Sequence, residues 1–304
     1  MFDILSAGHF SIDNIYLPQK SVPYIILGGS AAYVSLTAQV LGAKTSVISK
    51  VGSDFPEAYL WWLRQEGVDL SGVIRVEEAK STRFELKYLS DFSSREMRVK
   101  FIAPPITIED LPKSIESKAV HIAPIAGEIS TEVVESLRGC AEFLSLDPQG
   151  LIRVFDENGN VKNGQLEDKR VLELINIYKS SEAEIKAATG KDDLTSAIKA
   201  VHDLGVETVI VTLGAKGAML SVEGTAYIIP SYSNAKVVDP TGAGDVFIGG
   251  FLAEYVSGKD SLWCACVGSS AASIAIEAVG PTFPRDKTEI YRRANVLYGK
   301  EIKS

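Results

Sequence analysis

Asp239-Pro240-Thr241-Gly242-Ala243-Gly244-Asp245, followed by Val246-Phe247-Ile248-Gly249-Gly250-Phe251, decides how this chain is read. Small residues open a helical pattern, with a carboxylate in its first turn. The first N–H groups of a helix have no intrahelical partner and the dipole is positive there, so such a start holds anions. Glycine lets a phosphate come close to the backbone. An aspartate beside that anion would repel it unless it had a task. The natural task is to take the proton of a hydroxyl that attacks the phosphate. Asp and Gly also cluster in ordinary turns, and an acid in the first turn stabilises any helix. The strand-like Ala235-Lys236-Val237-Val238 before the run and the long helical pattern after it favour the phosphate site.

Outward from this run, short apolar stretches alternate with helical patterns. Phe2 to Ala7, Thr45 to Val51, Ala119 to Ile122, Phe143 to Leu146 and the β-branched Thr208 to Thr212 read as strands. Ala31 to Leu41, Pro56 to Glu66, Thr131 to Arg138 and Leu194 to Leu204 read as helices. Strands alternating with helices predict an α/β fold, a mostly parallel sheet covered on both faces. The uncharged stretch between Asp260 and Glu277 reads as a buried helix, too short and serine-rich to span a bilayer.

Two places break the rhythm. Arg83 to Tyr88 and Met97 to Phe101 alternate polar and apolar residues, which predicts antiparallel strands outside the main sheet, joined by the polar Asp91 to Arg95 segment. Phe84, Leu86, Tyr88, Val99 and Phe101 would share one apolar face, and residues near Ile12 to Leu27 would complete the small sheet. That face needs a cover: a ligand, the body, or a second subunit in a homodimer through the lid. In the stretch Ile152 to Lys162, Asn158-Gly159 predicts a tight hairpin.

Of 304 residues, 46% are hydrophobic and 23% charged, an ordinary composition with material for a large core. The net charge of -8 argues against nucleic acid or an anionic membrane as partner, though not against a nucleotide held by amides and metal ions. Three cysteines, Cys140, Cys264 and Cys266, with no CxxC spacing, suggest a reducing compartment and neither disulfides nor zinc. The strand-like start at Phe2 leaves no room for a signal peptide, so a cytoplasmic location is expected. Scarce Asn and Gln beside plentiful Glu, Lys and Arg hint at a heat-adapted source.

Some patterns fail. GxxxxGK[ST], HExxH and GxSxG are absent, and Phe247 stands where the dinucleotide pattern needs its third glycine, which argues against an NAD-dependent dehydrogenase, an alternative that a test for cofactor binding would settle. His9, His121 and His202 show no metal spacing; His202 reads as a helix-surface residue, while His9 and His121 end strands and are open to a substrate role. Gly28-Gly29-Ser30-Ala31-Ala32-Tyr33 is a second small-residue helix start, either a serine N-cap or a close backbone approach to a polar ligand. Asp13 would face the same region. Thr212 to Gly217 reads as a turn or a nucleotide-phosphate contact. Ser181-Glu182-Ala183-Glu184 fits a capping box, and Glu184 could also order a magnesium shell.

With these pieces placed, the chain resembles the PfkB, or ribokinase, family of carbohydrate kinases over nearly its whole length. Asp239 to Asp245 is similar to the family's C-terminal signature, Gly28-Gly29 to its N-terminal glycine pair, and Val51-Gly52-Ser53-Asp54 to the segment after the second body strand. Thr212 to Gly217 is similar to its nucleotide-side loop. The resemblance implies a single kinase domain over 1–304, a three-layer α/β/α body with a β lid from about 12–27 and 82–102. It implies ATP and Mg²⁺ as cofactors, admits a monovalent cation, and makes the partner a small polyol. Asp245 would be the catalytic base, with the Gly242, Ala243 and Gly244 amides as anion hole. Thr212, Gly214, Gly217 and Thr241 would lie near ATP, and Glu184 would hold the metal through water. Asp13, Gly28, Gly29, Ser30, Gln149 and Arg153 would bind the acceptor. Ser181 replaces the Asn of the family's Asn-x-x-Glu motif, Ser30 a lysine, and Tyr33 a sugar-binding Asn, which argues against ribose itself. Asp147 to Arg153, with Tyr33, looks more like the inositol-kinase branch, and Asp13, Asp147 and Gln149 favour a polyol such as myo-inositol. The alternatives are a nucleoside kinase of the same family and a non-catalytic polyol or nucleotide sensor.

Overall fold

The computed structural model describes residues 1–299 apart from 19, 90, 91, 93, 115 and 283–285. In chain order its strands are β1 (Phe2–Ala7), β2 (Ser11–Tyr16), β3 (Tyr24–Gly28), β4 (Thr45–Gly52), β5 (Asp69–Val76), β6 (Thr82–Tyr88), β7 (Arg95–Phe101), β8 (Ser117–Ile122), β9 (Ala141–Leu146), β10 (Arg153–Phe155), β11 (Val161–Asn163), β12 (Ile177–Ser181), β13 (Thr208–Thr212), β14 (Ala218–Val222) and β15 (Thr225–Ile229). The helices are α1 (Ser30–Leu41), α2 (Glu57–Gln65), α3 (Thr131–Arg138), α4 (Gln149–Ile152), α5 (Arg170–Glu173), α6 (Glu182–Thr189), α7 (Leu194–His202), α8 (Ala243–Tyr255), α9 (Ser261–Ala275) and α10 (Lys287–Tyr298).

The main sheet runs β15-β14-β13-β12-β9-β8-β1-β4-β5. From β13 to β5 every pairing is parallel, and β14 and β15 add an antiparallel edge. Its strands alternate between two cores. Ile4, Ala119, Ile177 and Ile210 pack with α1, α8, α9 and α10. Leu5, Val120, Leu144, Tyr178 and Val209 pack with α3, α6 and α7 on the other face. Each fully buried large side chain, such as Phe251, contributes about 2–3 kcal/mol. The uncharged stretch forms buried α9, capped by the Asp260 carboxylate, with Cys264 and Cys266 in its core. The strand order reverses at β1, where β4 lies on one side and β8 on the other, and ligands of such sheets bind at that crevice beyond the strands' carboxyl ends.

The second sheet, β3-β2-β6-β7, stands beyond that edge. It is mixed, because β2 and β6 are parallel while the outer pairs are antiparallel. Its apolar face, with Ile15, Phe84, Leu86 and Tyr88, packs against Ile125 and Ala126 of the body. Residues 91 and 93 of the Asp91 to Arg95 connection lie outside the described residues.

Four expectations need correcting. Phe101 does not share the apolar face and is 48% exposed. The β6–β7 register shifts between Arg83 and Phe84, so Phe101 comes opposite Arg83 and points the other way. Ala235 to Val238 is no strand; Val238 and Asp239 donate to the Ile276 carbonyl, so their backbone is bound to the end of α9. The β10–β11 hairpin forms, but its loop is 156–160 and longer than a two-residue turn. His202 is half-buried, its ring bridging the Val206 carbonyl (2.7 Å) and Ser221 Oγ (2.8 Å).

Candidate active site

Two helix starts and the lid converge. Gly242 caps α8 at φ 75, a left-handed conformation that suits glycine, and a Cβ there would lie 2.5 Å from the Tyr33 ring. The Asp239 carboxylate, buried, accepts from Thr241 N (2.9 Å) and Gly280 N (3.1 Å) and so fixes the turn before the helix. These bonds orient the Gly242–Gly244 amides at the start of a helix long enough to have a full dipole. Asp245 falls in its first turn.

α1 starts beside it. Its N-cap is Gly29 at φ 96, and Ser30 is the first helical residue, with no side-chain cap. The serine is therefore free of the capping role, and its Oγ donates to Asp245 Oδ1 at 2.7 Å. Gln149 Nε2, from α4, donates to the same oxygen at 3.3 Å. Arg153 donates to Gln149 Oε1 (2.6 Å) and the Ile125 carbonyl (2.7 Å), and its guanidinium lies over the Phe84 ring. One cavity is lined by Asp13, Gly29, Ser30, Gln149, Arg153, Thr241, Gly242 and Asp245, with Tyr33, Phe84, Leu86, Arg95 and Met97.

Asp13 is buried on β2 and accepts from Ser11 Oγ at 2.7 Å. Burial pushes its carboxyl up to about 6, against the pull of Ser11, Arg95 and Arg153. Tyr33 is 2% exposed, and its hydroxyl meets no hydrogen-bond partner among the described residues. Burial, with the nearby carboxylates of Asp13, Asp239 and Asp245, holds that phenol well above its ordinary range, so it stays a donor. Tyr88 links the lid to the signature, its hydroxyl 2.8 Å from Thr241 Oγ1 and 2.9 Å from an Arg95 nitrogen.

The remaining sequence candidates divide between this cavity and other parts of the fold. Thr241, expected on the donor side, is in the cavity with Asp13. Gly28 ends β3 beside the Asp13 carboxyl. Thr212 ends β13, and Gly214 and Gly217 lie in the turn that follows it, apart from the cavity lining. Ser181 and Glu184 make the expected capping box, with Glu184 Oε2 accepting from Ser181 N and Oγ, each at 2.7 Å. Among the described residues no cluster of His, Cys, Asp and Glu could hold a metal ion alone. A divalent ion here would therefore need phosphate oxygens and water to complete its ligands. His9 is held by Thr82 and Pro104 and His121 by Ser145, and neither lines the cavity.

Two residues went unnoticed in the sequence. Lys179 on β12 is buried and pairs with Asp147 Oδ2 at 2.6 Å, so Asp147 faces this lysine and not the cavity. A lone lysine inside the strand Ile177–Ser181 was the available signal. Glu128, 2% exposed, accepts from the amides of His9, Ile125 and Ala126, tying the lid's root to the cavity wall.

The description "pfkB family carbohydrate kinase" matches residues 19–288. The chain belongs to this family. It is a phosphotransferase acting on hydroxyl groups, and its fold is the ribokinase-like α/β fold. The chain is 28% identical over 286 residues to the cytidine kinase of Thermococcus kodakarensis, covering 92% of this chain and 98% of that one. It is 29% identical over 305 residues to the inositol 3-kinase of Arabidopsis thaliana, covering 95% of this chain and 80% of that one. A solved pyrophosphate-dependent kinase of the ribokinase family, in complex with a pyrophosphate analogue and myo-inositol, superposes with a TM-score of 0.80 at 28% identity, covering 94% and 99%. Among the described residues no helix is long and apolar enough to cross a membrane.

Proposed function

We propose that this kinase transfers the terminal phosphoryl group of ATP to one hydroxyl of a small polyol, a sugar or a cyclitol such as myo-inositol. The observation that carries the proposal is Asp245: it follows the Gly242–Gly244 amides directly and shares its Oδ1 with Ser30 and Gln149 on the wall of a polar cavity. An acceptor hydroxyl takes the place of these donors at Asp245. The carboxylate accepts its proton while the oxygen attacks phosphorus in line. The α8 amides receive the charge of the transferring group, and this preorganised electrostatic contribution is the larger share of catalysis. Asp13, Gly28, Gly29, Ser30, Gln149 and Arg153 orient the acceptor, and the lid excludes water.

Thr212, Gly214 and Gly217 take the nucleotide side, and Thr241 joins the acceptor wall to the signature. Glu184 would hold Mg²⁺ through water, and the ion would supply charge neutralisation on the donor phosphates. A monovalent cation and a homodimer through the lid belong to the same reading as additions that the assay can vary.

The relatives supporting this reading include both an inositol kinase and a cytidine kinase. The polyol is favoured because the cavity is lined mostly by hydroxyl-binding groups, and because Arg153 already lies over the Phe84 ring at 5.5 Å, which takes one face a base would stack on. The test is incubation with Mg²⁺ and ATP or pyrophosphate over a panel of sugars, inositols and nucleosides, with phosphorus NMR of the products. Turnover confined to nucleosides would replace the polyol reading. No transfer to any acceptor would leave the sensor.

A further inference from the structure

We propose that Lys179 is a catalytic residue: its ammonium meets the phosphoryl group as it transfers. The inference rests on the kinase reading above. Lys179 is the middle residue of β12, with its side chain 5% exposed. A Cβ built on Gly244 would lie 2.6 Å from Lys179 Nζ, so the ammonium lies against the second residue of α8. This is the positive end of a helix, where a cation is misplaced unless an anion comes to the same point. Asp147 Oδ2 at 2.6 Å offsets one positive charge, and nothing in that pair serves the amides.

Stability does not explain the arrangement. Burying an ion pair costs about as much as it returns, and apolar residues in its place are often as stable or better. Burial pulls the ammonium's pKa down, yet the carboxylates of Asp147, Asp245 and Glu184 overcome this and hold it at about 12. The cation thus persists at every working pH. Asp147 is fixed in turn by the Gln149 amide, which donates to its Oδ1 at 3.1 Å, so one carboxylate steadies both the lysine and an acceptor-side residue.

In the step itself the acceptor oxygen forms its bond to phosphorus as the bond to the leaving phosphate oxygen breaks. The leaving group keeps that electron pair, and the acceptor's proton goes to Asp245. Lys179 transfers no proton. One of its N–H bonds turns from Asp147 to a phosphoryl oxygen, adding a charge to the neutral amides.

The experiment uses the full chain, with inorganic pyrophosphate as the binding probe. Lys179→Met combined with Asp147→Asn removes the pair without stranding a charge. We expect this variant to fold, to keep the acceptor KM within about twofold, and to lose about 10²–10³-fold in kcat. It should also lose the thermal stabilisation that pyrophosphate gives the unaltered protein. Asp147→Asn alone should bind pyrophosphate more tightly, because the ammonium loses its competitor, and this outcome stands if the double variant fails to fold. A folded double variant with kcat within about threefold of the original would overturn the proposal. So would an unchanged pyrophosphate shift, or no tightening in Asp147→Asn. Lys179-dependent pyrophosphate binding in a protein that phosphorylates no acceptor would uphold the anion contact and refute the kinase reading instead.

Discussion

Tyr33→Phe separates stability from function at one atom. The Tyr33 ring packs on Gly242, and phenylalanine keeps that packing. Only the hydroxyl changes, and it is buried, lines the cavity, and bonds to no described residue. An unsatisfied buried hydroxyl costs roughly 1–3 kcal/mol. The variant without acceptor should therefore be more stable, with Tm raised by about 2–4 °C for each kcal/mol in a chain of this size. With acceptor the sign reverses. A neutral hydrogen bond from the phenol is worth about 0.5–1.5 kcal/mol, so KM should rise by about twofold to tenfold. The two effects come from one oxygen, so they must appear together. Thermal unfolding with and without acceptor, and KM over a panel of deoxy analogues, reads both. A variant destabilised without acceptor by more than about 1 kcal/mol would show that the hydroxyl is satisfied within the fold. An unchanged KM on every acceptor would show that it does not face the ligand.

Asp245→Asn should leave unfolding intact and cut turnover by on the order of 10²-fold or more, read by initial rates; near-normal turnover removes Asp245 from the base role. Asp13 has its carboxyl raised by burial from 3.8 to about 6, so the fold favours its neutral form. Its stabilising contribution is full below the unfolded value and is lost as pH rises through the folded one, a difference of about 3 kcal/mol. Asp13→Asn should flatten the fall in stability between about pH 4 and 6, as urea titrations across that range would show. In the unaltered protein the acceptor KM should fall as Asp13 ionises above about pH 6, and in the variant it should not. Glu128→Gln weakens its bonds to the amides of His9, Ile125 and Ala126, each worth about 1.5–3 kcal/mol when charged. It should raise KM more than it lowers kcat, since it loosens the cavity wall and leaves Asp245 in place.

The order of strands and helices was legible because burial on both faces forces long apolar runs at regular intervals, and β1, β4, β9 and α3 lie close to where those runs end. The signature from Asp239 to Asp245 was legible for a local reason: a left-handed Gly242 and bare amides are properties of a few adjacent residues. The lid strands were legible from their period of two, but not the parallel β2–β6 pairing or the shift that turns Phe101 outward, since register depends on which strand lies alongside. Ser30 shows the same limit. Its sequence fits an N-cap, yet Gly29 takes that position and frees the hydroxyl for Asp245. The Lys179–Asp147 pair joins residues 32 positions apart, and the Ser30–Asp245 bond joins residues 215 apart. A chain dictates the chemistry of its own neighbours through local geometry. Which distant side chains share a buried charge, and which hydroxyl is left without a partner, is decided only when the sheet and lid close around one cavity, because charge and hydrogen bonding act through space and not along the backbone.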